Sequence, residues 1–149
     1  MADQKATNPK DAIGVRKAPM HLVPGSAKAY MSMAFLEGAL KYGKYNWRIA
    51  GVRSSIYLDA MERHMEKWKN GEDVAEDTKV PHLASVMACC AIILDAELVG
   101  MLNDDRPPRA DMAGLIDGLA EHVAYLKDLF KDESPHQYTI DDKPESMGT

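Results

Sequence analysis

At 149 residues and 16.5 kDa the chain is long enough for one domain with its own core and too short to expect two. Its 18 Lys and Arg stand against 23 Asp and Glu, a formal charge of −5. That balance gives no basic surface of the kind that follows a nucleic-acid backbone, so small molecules and further copies of the chain are the partners to expect.

The first 25 residues carry few periodic apolar positions, and Pro9, Pro19 and Pro24 interrupt any helix, which predicts an arm rather than a domain. A first helix is predicted over residues 26–42, with Ser26 as N-cap and Gly43 as its stop. Tyr30, Met33, Ala34, Leu36 and Leu40 make its apolar face, and Glu37 and Lys41 fall inside that arc. The helix end runs into Gly43, Lys44, Asn46, Trp47 and Arg48. These cations and an amide suit phosphate, and the indole suits either a base or the core.

A second helix starts near Ser54 or Ser55 and ends about Lys69. Tyr57, Met61, Met65 and Trp68 share one side with His64, while Asp59, Glu62, Arg63, Glu66, Lys67 and Lys69 form a solvated side. An acidic loop over residues 71–77 follows, then a third helix predicted over 81–102, with Pro81 in its first turn. This helix is apolar nearly all round, as a central helix is, and Asp95 lies there beside Ala84, Ala88 and Ala91. The adjacent Cys89 and Cys90 suit neither a mutual disulfide nor a metal pair and read as buried thiols. The apolar run 86–94 is too short to span a bilayer and no leader is visible, so a soluble protein of a reducing cytosol is expected. Beyond the break at residues 103–108 a fourth helix is predicted over 111–130, with a polar tail after Ser134. No strand pattern is present. The fold class is all-α, a four-helix, bundle-like domain.

Glu37, Glu72, Asp77 and Asp95 are the acids that antiparallel neighbouring helices and their loop can bring together. Oxygen-rich sites of that kind suit Mg²⁺ or Mn²⁺, against the plainer reading that each acid is salt-bridged, Glu37 for instance to Lys41 one turn on. His64 and His82 on apolar faces can ligate metal, act as acid or base, or be hydrogen-bonded core residues. Asn46-Trp47-Arg48 reads either as a base-and-phosphate clamp or as a loop tucked onto the core by Trp47. No Walker loop, dinucleotide fingerprint, His-Glu-x-x-His or nucleophile motif occurs.

Taken in order, Asn8-Pro9-Lys10-Asp11, Leu22-Val23-Pro24, Glu37-Gly38-Ala39, Lys41-Tyr42-Gly43, Asn46-Trp47-Arg48, Asp59-Ala60, Arg63-His64, Gly71-Glu72-Asp73, His82-Leu83-Ala84-Ser85, Asp95-Ala96 and Asp104-Asp105-Arg106-Pro107-Pro108 resemble the phage dATP/dGTP diphosphohydrolases, a branch of the MazG-like all-α nucleotide pyrophosphohydrolases. The resemblance implies an oligomeric MazG-like bundle with an N-terminal arm and two or more Mg²⁺ or Mn²⁺ ions. It implies hydrolysis of dGTP and dATP to monophosphates, with dGDP as a further ligand, and so a supply of dGMP for 2-aminoadenine phage DNA and depletion of dATP. The wider superfamily carries ExxE and ExxD on two helices. Here Asp59-x-x-Glu62 comes closest to the first, and His82-x-x-Ser85 stands in place of the second.

Joined to the residue reading, this makes Glu37 and His64 the catalytic candidates and Lys41, Asn46, Trp47, Arg48 and Arg63 the substrate-binding ones. Glu37, Glu72, Asp77, His82 and Asp95 are the candidate metal ligands. The rival from another class is a non-catalytic, nucleotide-binding regulatory helical protein. A third helix apolar on nearly all sides also predicts a homo-oligomer.

Overall fold

The computed structural model describes residues 8–144; the first seven residues of the predicted arm and the last five of the tail lie outside the described residues. The helices are α1 (Pro9–Gly14), α2 (Gly25–Tyr42), α3 (Trp47–Ala50), α4 (Ser54–Lys69), α5 (His82–Leu98) and α6 (Met112–Leu129). Two two-residue strands, β1 (Val52–Arg53) and β2 (Leu102–Asn103), pair in parallel, with Val52 opposite Leu102 and Arg53 opposite Asn103.

The arm is not featureless. Asn8 accepts from Lys10 N and Asp11 reaches back to the Asn8 backbone, a capping box that starts α1 with Pro9 in its first turn. A single 3-10 turn (Met20–Leu22) follows before Pro24 opens α2. The apolar residues of this arm, Ile13, Val15, Met20, Leu22 and Val23, all remain exposed.

α5 is the central element and packs mainly on α4 and α2, with lesser contact to α3 and β2. Small residues allow this: Ala84, Ala88 and Ala96 are buried, so neighbouring backbones approach closely along its length. α5 begins one residue after Pro81, which occupies the N-cap position, and it ends at Leu98, earlier than its apolar pattern predicts. Gly100 takes a φ of 72° there, Met101 N donates to Ala96 O at 2.8 Å, and the chain turns into β2. Gly51, at φ 76°, permits the matching approach from α3, because a Cβ at that position would stand 3.0 Å from Met101 O. Val52 N then donates to Met101 O at 3.0 Å.

β2 also delivers the cap of α4. Asp105 accepts from Ser55 N at 2.8 Å and from Ser55 Oγ at 2.6 Å, so α4 starts at the predicted serines with a carboxylate from fifty residues away over its first turn. α2 ends as predicted at Tyr42, with Gly43 at φ 90° and its N–H bonded to Ala39 O.

α6 forms where its periodicity predicts it, with Asp111 accepting from Gly114 N as the N-cap. It does not join the other helices. Every described residue from 103 onward is exposed, so the helical core of the described residues is α2, α4 and α5, not a four-helix bundle. Pro107 and Pro108 give the physical reason: their fixed φ and missing N–H groups hold an extended connection that carries α6 off the core.

Because Ala96 is fully enclosed beside the Met101 turn, Ala96→Leu should destabilise the fold by about 1–3 kcal/mol through overpacking. Denaturant titration of the two proteins reads this as a lower midpoint at unchanged slope.

Candidate functional site

A cavity of about 450 Å³ opens between α2, α4 and α5 and is lined by Glu37, Lys41, Asn46, Trp47, Tyr57 and His64, with Ser85 and Cys89 on its α5 wall. Each comes from a regular feature of the fold. Glu37 and Lys41 are one turn apart on α2, Tyr57 and His64 two turns apart on α4, and Ser85 and Cys89 one turn apart on α5. Glu37 and Lys41 form the i,i+4 ion pair that the sequence allowed. That bond raises the Lys41 pKa above its ordinary value, and the charge of Asp77 adds to it, which sets Asp77 within electrostatic reach of the cavity rim. The Asp77 carboxylate itself accepts from Thr78 N at 2.9 Å.

The deepest polar feature is a chain of three side chains. Glu72 Oε1 lies 2.9 Å from His82 Nε2, and His82 Nδ1 lies 2.8 Å from His64 Nδ1. The acidic loop makes this possible by folding on itself. Glu72 N donates to Lys67 O, Ala75 N to Val80 O and His82 N to Asp73 O, which seats Glu72 over the start of α5. His82 is fully buried. In the tautomer in which His82 Nε2–H donates to the carboxylate, His82 Nδ1 is the acceptor. His64 Nδ1–H donates to it, and His64 Nε2 keeps a lone pair with no partner among the described residues. Burial first, then the neighbouring His82, Lys67 and Arg63, lower the His64 pKa below its ordinary 6.5, while Glu37 opposes the shift. His64 thus reaches the cavity as a neutral base. His82 has both nitrogens engaged and no position left for a metal in this arrangement.

The start of α3 is held by Asp95. Its Oδ2 accepts from Trp47 Nε1 at 2.6 Å and from Arg48 Nε at 2.8 Å, and its Oδ1 accepts from Arg48 Nη2 at 2.8 Å. The Arg48 and Trp47 bonds bring the Asp95 pKa down to about 2. The Trp47 ring packs against Phe35 at 5.6 Å and Tyr45 at 5.7 Å between centroids while lining the cavity. Asp95 and Arg48, read from sequence as a metal ligand and a phosphate contact, are thus bonded to each other in an anchor that ties α3 to α5. Arg48 and Arg63 do not line the cavity, and the Arg63 charge is felt at His64 from outside it.

The expected ligand set of Glu37, Glu72, Asp77, His82 and Asp95 is not brought together. Among the described residues no three His, Cys, Asp or Glu side chains converge as a metal site. Each of these carboxylates instead has a nearer donor of its own. Tyr57, Ser85 and Cys89 were missed as cavity residues. Burial raises the pKa of Tyr57 and pushes the Cys89 thiol up to about 11. Only the spacing of Tyr57 to His64 could have signalled this wall, and that spacing reads equally as core.

Fold and cavity together define an all-α protein whose cavity presents the Glu37–Lys41 ion pair, the Asn46 amide and a histidine held below its ordinary pKa. The chain belongs to the dATP/dGTP diphosphohydrolase family, whose N-terminal model matches residues 7–106, and it is thereby a nucleotide hydrolase by family. No curated protein and no solved structure matches it. No helix of the described residues is long and apolar enough to cross a membrane.

Because the folded chain disfavours the charged form of His64, its contribution to stability is fully present above pH 6.5 and is lost as pH falls below 6.5 through the lowered folded value. NMR titration should place the His64 ring below 6.5, and the acid-side fall in melting temperature should be shallower in His64→Gln.

Proposed function

We propose that the cavity binds a purine deoxynucleoside triphosphate, dGTP or dATP, and hydrolyses it to the monophosphate. The observation that carries this is the Glu72–His82–His64 chain, which ends in an unprotonated imidazole on the same cavity that presents Lys41 and Asn46. In this reading Lys41 and Asn46 hold phosphate oxygens, and Arg63 adds positive charge at the approach. The Trp47 ring gives the base a flat apolar wall. His64 Nε2 takes a proton from water as the water oxygen bonds to phosphorus and an anhydride P–O bond breaks. The proton leaves the attacking oxygen as the leaving phosphate takes up the electron pair. His82 and Glu72 keep His64 in the tautomer that leaves Nε2 free.

Mg²⁺ or Mn²⁺ belongs to the proposal as an ion that neutralises phosphate charge. The residues of the described chain do not form a closed ligand set for it, Glu37 being the one carboxylate on the cavity, so no step is assigned to the metal here. The finer role follows from the family resemblance: in the cytoplasm of a phage-infected cell, such an enzyme would supply dGMP for modified-purine DNA and drain dATP, with dGDP able to occupy the same cavity. A homo-oligomer is part of the same proposal. The missing ligand cluster favours one alternative, a protein that binds nucleotide without turning it over.

Incubation of the purified chain with dGTP or dATP and Mn²⁺, followed by chromatography, should yield monophosphate, and His64→Ala should slow it by about 10²–10⁴-fold, as for loss of a general base. Nucleotide-dependent thermal stabilisation without product would establish the binding-only alternative. Full activity in His64→Ala would remove the relay from the mechanism.

A further inference from the structure

The sequence after Ser134 reads as a polar tail, yet residues 136–142 close on themselves. The Asp142 carboxylate is the centre of that closure. Its Oδ2 accepts from Thr139 N at 2.6 Å and from Thr139 Oγ1 at 3.4 Å, and its Oδ1 lies 3.0 Å from His136 Nε2. Asp142 N donates back to Thr139 O at 3.1 Å, and the His136 and Tyr138 rings meet edge to face at 4.6 Å. Ile140 is thereby held at the tip of a turn over residues 139–142.

That tip meets the end of α4. A Cβ on Gly71 would stand 2.8 Å from Ile140 Cδ1, so the glycine leaves the space into which the end of the isoleucine fits. Gly71 also takes φ 93°, a backbone state that favours glycine. Gly71 N donates to Trp68 O at 3.0 Å and Glu72 N to Lys67 O at 3.0 Å, which closes off the helix. The contact therefore falls one residue from Glu72, the first member of the chain to His82 and His64.

The other end of α4 is held by the same C-terminal part of the protein, since Asp105 caps its first turn through Ser55. Between the two anchors lies α6, whose 18 residues run about 27 Å against about 24 Å for the 16 residues of α4. Residues 105–142 thus span α4 from end to end as a strap, bonded at its start and resting on Ile140 at its finish. The finish lies beyond the family-matched residues 7–106, so this support comes from outside the matched part of the chain.

We propose that residues 136–142 are a clasp that docks Ile140 on Gly71 and steadies the loop 71–77, with Ile140 as a positioning residue for Glu72. Ile140 stays 76% exposed, so the dock is small and opens readily, as contacts that bury little area do. Closed, it holds the loop where the Glu72 carboxylate meets His82. Open, the loop loses its outer support and Glu72 leaves His82 more often. The bearing of the clasp on hydrolysis rests on the role proposed for His64; the docking itself does not.

Hydrogen–deuterium exchange of the full chain tests it. Ile140→Ser removes the docking methyl groups and Asp142→Ala opens the turn. Each should speed exchange at the Glu72, Ala75 and His82 amides by roughly three- to tenfold, while α2 keeps the parent rate. Ile140→Leu, which keeps a terminal methyl in reach, should exchange like the parent. By NMR, the His82 ring N–H should exchange with water faster in the two opening variants and not in Ile140→Leu. Parent-like loop exchange in both Ile140→Ser and Asp142→Ala would overturn the docking, and a faster loop with an unchanged His82 ring would overturn the positioning role. Both readouts are taken without nucleotide, so a lack of product from dGTP would sink the proposed hydrolysis while exchange still decides the clasp.

Discussion

The site depends on one enclosed imidazole. Among the described residues His82 is the largest fully buried side chain, and it is polar on both sides of its ring. An unpaired imidazole nitrogen in that place would cost on the order of 1–3 kcal/mol, so its two partners are structural requirements before they are chemical ones. Glu72 satisfies one nitrogen and thereby fixes the path of the acidic loop. His64 satisfies the other and thereby fixes the rotation of α4 against α5. What the fold needs in order to bury His82 is also what leaves His64 with a bare nitrogen on the cavity.

A second anchor shapes the opposite wall. Asp95 lies near the far end of α5 and takes three hydrogen bonds from Trp47 and Arg48, the first two residues of α3. A carboxylate with three donors is strongly held in its charged form, which agrees with its depressed pKa. Trp47 is thus both a packed residue and a cavity wall; the two readings of that loop are not exclusive, since one edge of the indole is bonded while the ring still faces the opening.

The core around these anchors is thin. α5 meets its neighbours through alanines, which permits close approach but buries little apolar area per contact. The arm, the outer side of α2 and all of α6 keep large apolar residues in solvent.

Helix positions were legible because they are local: a glycine stop after α2 and a 3.6-residue repeat place α2, α4 and α6 within a residue or two of their predicted limits, although α2 starts at Gly25 with Pro24 in the N-cap position where Ser26 was expected. So was the family, since ordered short motifs survive without knowledge of the fold. The capping box of Asn8, Pro9 and Asp11 starts a short α1 inside the predicted arm, and α5 ends before its apolar pattern does because Gly100 and Met101 turn the chain. The candidate site was only half legible. Glu37, Lys41, Asn46, Trp47 and His64 do share one cavity, but the partners of Asp95, Glu72 and His82 come from 10 to 48 residues away. A side chain's composition and spacing state what it is able to bond; which donor lies nearest is decided by how helices pack. Tertiary structure alone gave Asp95 and Glu72 their hydrogen-bonded partners, and it alone left the apolar face of α6 uncovered among the described residues.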